Sequence, residues 1–297
     1  MRFDSPLRYP GGKGKILNFI RLVFQENSLV GRDYIEPYAG GAAVALGLLF
    51  QEYVGKIWIN DYDPAVYSFW KSVIEDTDQF VALVKSAPLT MREWNRQKEI
   101  LNDPASARLD LGFALFYLNR TNRSGIVRGG VIGGKQQQGP YKLDARFNRD
   151  RLTERIQRIA SYRQRIRVSC IDTADLLVNI AGWSECSPLI YLDPPYVAKG
   201  AELYRNSYYE ADHRKIAQIM ALHSSPWVVS YDDTELVREL YGKYSSIYYS
   251  LNYSAQDRKR GSEAMFFSPN IAPPVVSSPA QVSARDVWRY DRYSVVA

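Results

Sequence analysis

Leu189-Ile190-Tyr191-Leu192-Asp193-Pro194-Pro195-Tyr196 is the stretch that decides the fold. Its apolar run reads as a buried strand, and the two prolines end it, because proline fixes φ and cannot donate to a sheet ladder. Asp193, Pro194, Pro195 and Tyr196 are thereby presented at the carboxyl end of a strand. Open α/β sheets place their ligand crevices there.

Such a tetrad has a specific chemical use. The exocyclic amino group of adenine is a poor nucleophile because its lone pair is delocalised into the ring. Asp193 and the carbonyl of Pro194, held rigid by Pro195, can each accept one amino hydrogen, and Tyr196 offers a face on which an unstacked base can lie. Taken alone, the same residues fit a strand followed by a proline turn. The rest of the chain separates the two readings.

Moving outward, strands are expected at Ile166 to Cys170, Trp227 to Ser230, Ser246 to Asn252 and Ala264 to Ser268. Helices are expected near Thr173 to Ile180, Ala211 to Leu222 and Thr234 to Tyr241. Upstream, Asp33 to Val44 reads as a strand, a glycine loop and a helix of small residues. Lys56 to Ile59 gives a second strand ending at Asn60-Asp61. Gly40 and Gly41 would let the backbone approach a cofactor, and an acid about 20 residues after such a loop is placed to meet ribose hydroxyls. In this order the pieces describe an adenosine-binding half, although each alone fits ordinary β-α packing. Arg8 to Lys13 reads as a glycine turn feeding a helix N-terminus, where Lys13 can meet a carboxylate or phosphate. Asp172 and Asp175 fit either an adenine-ring contact or a helix N-cap.

Charge is unevenly spread. The net charge is +6, yet residues 120–167 hold 13 Lys or Arg against 3 Asp or Glu. A basic segment beside a near-neutral body is the footprint of a polyanion-binding element. Six glycines and three consecutive glutamines between Gly125 and Gly139 predict a mobile hairpin or loop. Between Asp63 and Tyr117 the periodicity is helical, with Trp94 and Phe116 expected in the core. Gln256 to Glu263 reads as a second basic loop suited to phosphates, and Pro269 to Ser283 as a linker or extended tail.

Composition excludes several classes. With 46% hydrophobic and 24% charged residues the chain is globular, and its longest apolar run, Ala42 to Phe50, is far short of the roughly 20 residues that span a bilayer. The start resembles no signal peptide, so a cytoplasmic location is expected. Two cysteines, Cys170 and Cys186, and two histidines show no zinc spacing and no covalent-catalysis arrangement. Cys170 is expected to be a small buried hydrophobe.

These motifs, in this order, resemble the DNA adenine-N6 methyltransferases of the Dam type from Leu7 to about Pro269. The resemblance implies a Rossmann-like α/β core of seven strands with an inserted, mostly helical DNA target-recognition domain. It also implies S-adenosyl-L-methionine as cofactor and double-stranded DNA, with no membrane, as partner. The implied division is a cofactor-binding part over 1–82, the insertion over 83–165, a catalytic part over 166–270 and a tail over 271–297. Asp193, Pro194, Pro195 and Tyr196 would be catalytic. Tyr9, Gly11, Gly12, Lys13, Glu36, Pro37, Gly40, Gly41, Asp61, Asp172 and Asp193 would hold the cofactor. Asn119, Arg120, Asn122, Arg123, Ser124, Arg128, Lys135, Arg146, Arg258, Lys259 and Arg260 would contact DNA. Arg123-Ser124-Gly125 stands where the best-known members carry tyrosine and asparagine before the glycine, so the resemblance implies no particular target sequence. The rival readings are an amino-methyltransferase acting on RNA adenine, cytosine N4 or a protein glutamine, and an idle DNA-binding relative. The resemblance suggests that RNA- and protein-directed relatives more often carry asparagine at position 193, and the intact tetrad with Asp61 argues against the second.

Overall fold

The structure, a computed structural model, describes residues 4–8, 13–180, 182–197, 208–252 and 260–287. Seven strands form one sheet: β1 (Tyr34–Glu36), β2 (Ile57–Asn60), β3 (Ile166–Ser169), β4 (Leu189–Leu192), β5 (Trp227–Asp232), β6 (Ser245–Asn252) and β7 (Arg260–Phe267). Their spatial order is β3-β2-β1-β4-β5-β7-β6. The first five run parallel, and β7 enters antiparallel between β5 and β6. β1, β2 and β4 are buried at every position, as parallel strands covered on both faces must be. The expected strands and their order are present, with β7 beginning four residues earlier than its apolar run suggested.

Helices α1 (Leu17–Glu26) and α2 (Ala43–Phe50) precede β2. Five more, α3 (Pro64–Glu75), α4 (Thr77–Ser86), α5 (Met91–Asn102), α6 (Arg108–Thr121) and α7 (Arg149–Ser161), lie between β2 and β3. Helices α8 (Thr173–Val178), α9 (Glu210–Leu222) and α10 (Glu235–Tyr241) alternate with the later strands. Residue 83, the expected start of the insertion, falls inside α4, and the reason is physical. Phe69 of α3, Phe80 of α4 and Phe113 and Phe116 of α6 interlock with Phe147, ring centroids lying 5.6 to 6.2 Å apart along that series. The cluster belongs to the hydrophobic core that also holds Ile57, Leu189 and Phe267 of the sheet. Trp94 and Phe116 are in that core, as expected. The helices therefore extend one face of the fold and share its interior.

Two expectations are corrected. The Pro/Ser-rich stretch after Pro269 packs on α1: Asn27 exchanges two hydrogen bonds with the backbone of Ala272, Asn18 donates to the Val282 carbonyl, and Ile271, Val282 and Val287 are buried. Spaced apolar residues and a receptive helix face turn a linker-like composition into a strap. Cys170 is half-exposed, because β3 ends at Ser169 and the chain turns outward there.

A shared core predicts shared unfolding. Thermal melting should show one cooperative transition reporting both the helices and the sheet, and Phe116→Ala should destabilise it by about 3–5 kcal/mol. Two resolved transitions, only one of them shifted by the substitution, would show separate domains.

Candidate active site

Parallel neighbours β2, β1 and β4 all end on one edge of the sheet, and each delivers an acid there: Asp61 just after β2, Glu36 closing β1, and Asp193 just after β4. Asp193 is held by one oxygen. Its Oδ1 accepts from Ser230 Oγ of β5 at 3.0 Å and from the Lys13 ammonium at 3.2 Å, and the Tyr191 hydroxyl lies 2.7 Å behind Ser230. Among the described residues no hydrogen bond engages Oδ2, and the Asp193 side chain is 21% exposed. Burial pushes its pKa up; Lys13 opposes the rise and Glu263 adds to it.

Lys13 leads the short 3-10 helix Lys13–Ile16, and its side chain is 9% exposed. Its three N-H groups serve protein oxygens: Asp193 Oδ1, Tyr196 Oη at 3.2 Å and Glu263 Oε2 at 3.0 Å. Burial works against the charge, but Asp193 and then Tyr191, Tyr196 and Tyr249 outweigh it and hold the ammonium's pKa well above the usual lysine value. The carboxylates that Lys13 meets are the protein's own, Asp193 and Glu263. Tyr196 in turn donates to Glu263 Oε1 at 2.5 Å, and the Val197 amide donates to Asp232, tying the end of the tetrad to β5. Sequence reading placed Glu263 in a phosphate-gripping loop. It lies instead inside the sheet on β7, fully buried at the head of the continuously apolar run Ala264-Met265-Phe266-Phe267.

The glycine loop is locked from both sides. Gly40 donates its amide to Asp61 Oδ2 at 2.8 Å, and its carbonyl accepts from the Trp70 indole at 2.9 Å. Gly40 has φ near +44°, a left-handed conformation that suits glycine. Asn60, buried and unremarked in the sequence, donates to the carbonyls of Pro37 and Ile171 and accepts from Ser169 Oγ and the Ile171 amide. It joins the loops after β1 and β3. Gly41 turns the chain into α2, and Asp172 caps α8 by accepting from the Ala174 amide. Glu36 accepts from the Tyr34 hydroxyl at 3.1 Å through Oε1, while its buried Oε2 closes no hydrogen bond among the described residues. Burial lifts the Glu36 carboxyl to about 8 and the Asp61 carboxyl to about 7.

A seven-stranded sheet with acids closing adjacent strands and Asp-Pro-Pro-Tyr after the fourth is now joined by a direct comparison. The family model of the D12 class N6 adenine-specific DNA methyltransferases matches residues 9–255. The chain belongs to this family. The methyltransferase is 23% identical over 274 residues to the Retron Ec67 DNA adenine methylase of Escherichia coli, covering 88% of this chain and 90% of that protein. It is 24% identical over 227 residues to the type II methyltransferase M.MjaIII of Methanocaldococcus jannaschii, covering 72% and 76%. A solved Thermoplasma acidophilum structure matches with a TM-score of 0.36 at 10% identity over 87% of this chain and 88% of that one, too distant to add to the assignment.

Of the residues expected at DNA, the methyltransferase exposes Arg123, Ser124, Arg128, Lys135 and Arg146 on the segment between α6 and α7, and leaves Arg120 half-buried against the Arg146 carbonyl. Burial, then the neighbouring Arg8, Arg155 and Arg146, pull the Arg120 pKa down to about 9. Asn119 and Asn122 are corrected. Both are buried, with their amides committed to the protein: Asn119 accepts from the Arg8 amide and donates to the Arg8 carbonyl, each at 2.7 Å, while Asn122 accepts from the Trp94 indole and donates to the carbonyls of Ile126 and Val127. They shape the base of the hairpin. Gly125 is fixed there twice over, by φ of +77° and by the Arg8 carbonyl, which an added Cβ would meet at 2.3 Å. Arg260 opens β7, whereas Tyr9, Gly11, Gly12, Arg258 and Lys259 lie outside the described residues.

The raised carboxyls set a pH dependence. In the unfolded chain both ionise near pH 4, whereas the native state keeps the Asp61 proton to about 7 and the Glu36 proton to about 8. The folded form binds the extra protons, so stability falls as pH rises through that window, by up to about 1.4 kcal/mol per pH unit for each group. Denaturant midpoints of the ligand-free protein at pH 5 and pH 9 should differ in that sense, and Glu36→Gln and Asp61→Asn should each flatten the difference. Variants as pH-sensitive as the parent would refute it.

Proposed function

We propose that this adenine-specific DNA methyltransferase takes its methyl group from S-adenosyl-L-methionine and acts on an adenine rotated out of double-stranded DNA, with Asp193 holding the amino group. The observation that carries the reading is the asymmetry of Asp193: Oδ1 is committed to Ser230 and Lys13, and Oδ2 is uncommitted among the described residues. An acceptor oriented through its other oxygen is suited to receive one amino hydrogen, with the Pro194 carbonyl receiving the second. Burial raises the Asp193 pKa, and Lys13 opposes that rise and so favours the ionised, accepting form. Tyr196, held at its hydroxyl by Glu263 and Lys13, offers its ring to a base that has left the stack.

The acids at the sheet edge fit the cofactor. Glu36 Oε2, buried without a full hydrogen bond, suits a cationic donor, and the locked Gly40-Gly41 loop beside Asp61 suits close backbone approach and hydroxyl recognition. Pro37, Gly40, Gly41, Glu36, Asp61, Asp172 and Asp193 would hold it, with Tyr9, Gly11 and Gly12 from the segment just before Lys13. When bound, S-adenosyl-L-methionine supplies a methyl group on a sulfonium. The chain's own contribution is orientation and charge: two fixed acceptors draw the amino lone pair out of conjugation, with no nucleophile on the protein.

Two measurements test this. Asp193→Ala should lower methyl transfer to duplex DNA about a hundredfold or more while duplex affinity largely survives, with N6-methyladenine as the product by mass spectrometry of digested DNA. Unchanged turnover would remove Asp193 from the chemistry. Arg128→Ala and Arg123→Ala should weaken duplex binding, and titrations at two salt concentrations should give a slope shallower by about one for each phosphate left unneutralised. An unaltered slope together with unaltered target choice would place those side chains off the DNA.

A further inference from the structure

We infer that Glu263 is a positioning residue for methyl transfer, orienting the Tyr196 ring directly and Asp193 through Lys13. The inference rests on the reading of Asp193 and Tyr196 given above. Glu263 sits on β7 opposite Asp232 of β5 and Tyr249 of β6, and no part of it reaches the surface. An ionised carboxylate withdrawn from water is costly, and folds retain one where it is paired and hydrogen-bonded. Among the described residues three donors converge on it: the Tyr196 hydroxyl on Oε1, and Lys13 Nζ and the Tyr249 hydroxyl, at 3.0 and 2.9 Å, on Oε2.

The arrangement closes on itself. Lys13 donates to both Tyr196 and Glu263, Tyr196 donates to Glu263, and the remaining N-H of Lys13 goes to Asp193. Tyr196 follows two prolines and has a hydroxyl anchored at two points, so its ring has little freedom to turn. Lys13 is shared between two carboxylates, which leaves Asp193 Oδ1 bound while the ammonium is kept from closing on Asp193 alone. A neutral amide at position 263 changes both effects. Its NH2 group would face donors, the tyrosine would lose its charged acceptor, and Lys13 would be left with one carboxylate.

A second consequence concerns ionisation. Asp193 is faced by Lys13, by Glu36 and Tyr34 of β1, by Tyr191 of its own strand, by Tyr196, by Tyr231 of β5, by Tyr249 of β6 and by Glu263 of β7. After burial, which raises its pKa, the negative charge of Glu263 pushes in the same direction and Lys13 in the other. Removing the Glu263 charge therefore makes Asp193 easier to ionise, and the acid limb of the rate profile moves to lower pH.

The test is Glu263→Gln in the full chain, with turnover on a duplex substrate measured from about pH 5.5 to 9 and duplex affinity by titration. The expected result is a fall in kcat of about tenfold or more, duplex Kd within about twofold, and an acid limb displaced downward. A folded variant that keeps kcat within about twofold, or loses kcat with the limb unmoved, overturns the inference. Should circular dichroism show that this variant does not fold, Tyr249→Phe removes one donor from the same carboxylate outside the tetrad; kcat should fall about threefold at unchanged KM for DNA, and parental kcat overturns it. Asp193→Ala in the same assay separates the failures. If it is inactive while Glu263→Gln is normal, the role of Glu263 alone fails; if it is active, the reading of Asp193 fails first.

Discussion

A single buried ammonium organises the active edge of this methyltransferase. Lys13 comes from the short 3-10 helix that leads into α1, Asp193 and Tyr196 from the end of a central parallel strand, and Glu263 from the antiparallel strand near the sheet's margin. Charge withdrawn from water must be matched locally. That requirement draws parts of the chain 250 residues apart into one geometry. The tetrad is therefore posed by its neighbours as much as by its own prolines.

Much of this was legible beforehand, for identifiable reasons. Ile190 to Leu192 is continuously apolar because both faces of a parallel strand are covered, and Pro194 marks its end without ambiguity. Glu36 and Asp61 follow strands at the spacing that α/β folds repeat. Glu263 was not legible, because its neighbours Arg258, Lys259 and Arg260 dominate the local composition and nothing nearby announces that β7 inserts between β5 and β6. Asn119 and Asn122 misled in the opposite way. Their side chains suit base edges, but Asn119 lies in the last turn of α6, a helix buried on nearly every side, and Asn122 just beyond its end, where amides serve carbonyls instead.

The helical segment between β2 and β3 shows a similar division. Its helices and aromatic periodicity were apparent, but its independence was not something composition could settle. Phe69, which precedes the expected boundary, and Phe116, which follows it, stack with ring planes 3° apart, and the interior runs on through them. The basic hairpin between α6 and α7 is thus carried on a rigid helical layer, with its arginines outward and its asparagines inward.

The Arg8 backbone clamp has a consequence for how such proteins diversify. Asn119 grips both polar atoms of one peptide segment, and the absence of a side chain at Gly125 lets that segment lie flush against the hairpin's base. Exchanging residues 120–142 alone between relatives would separate the graft from the stretch of chain it seats upon. A transplant that travels together with positions 5–8 and 119–125 preserves the joint, so the exchangeable unit is discontinuous in sequence although contiguous in space.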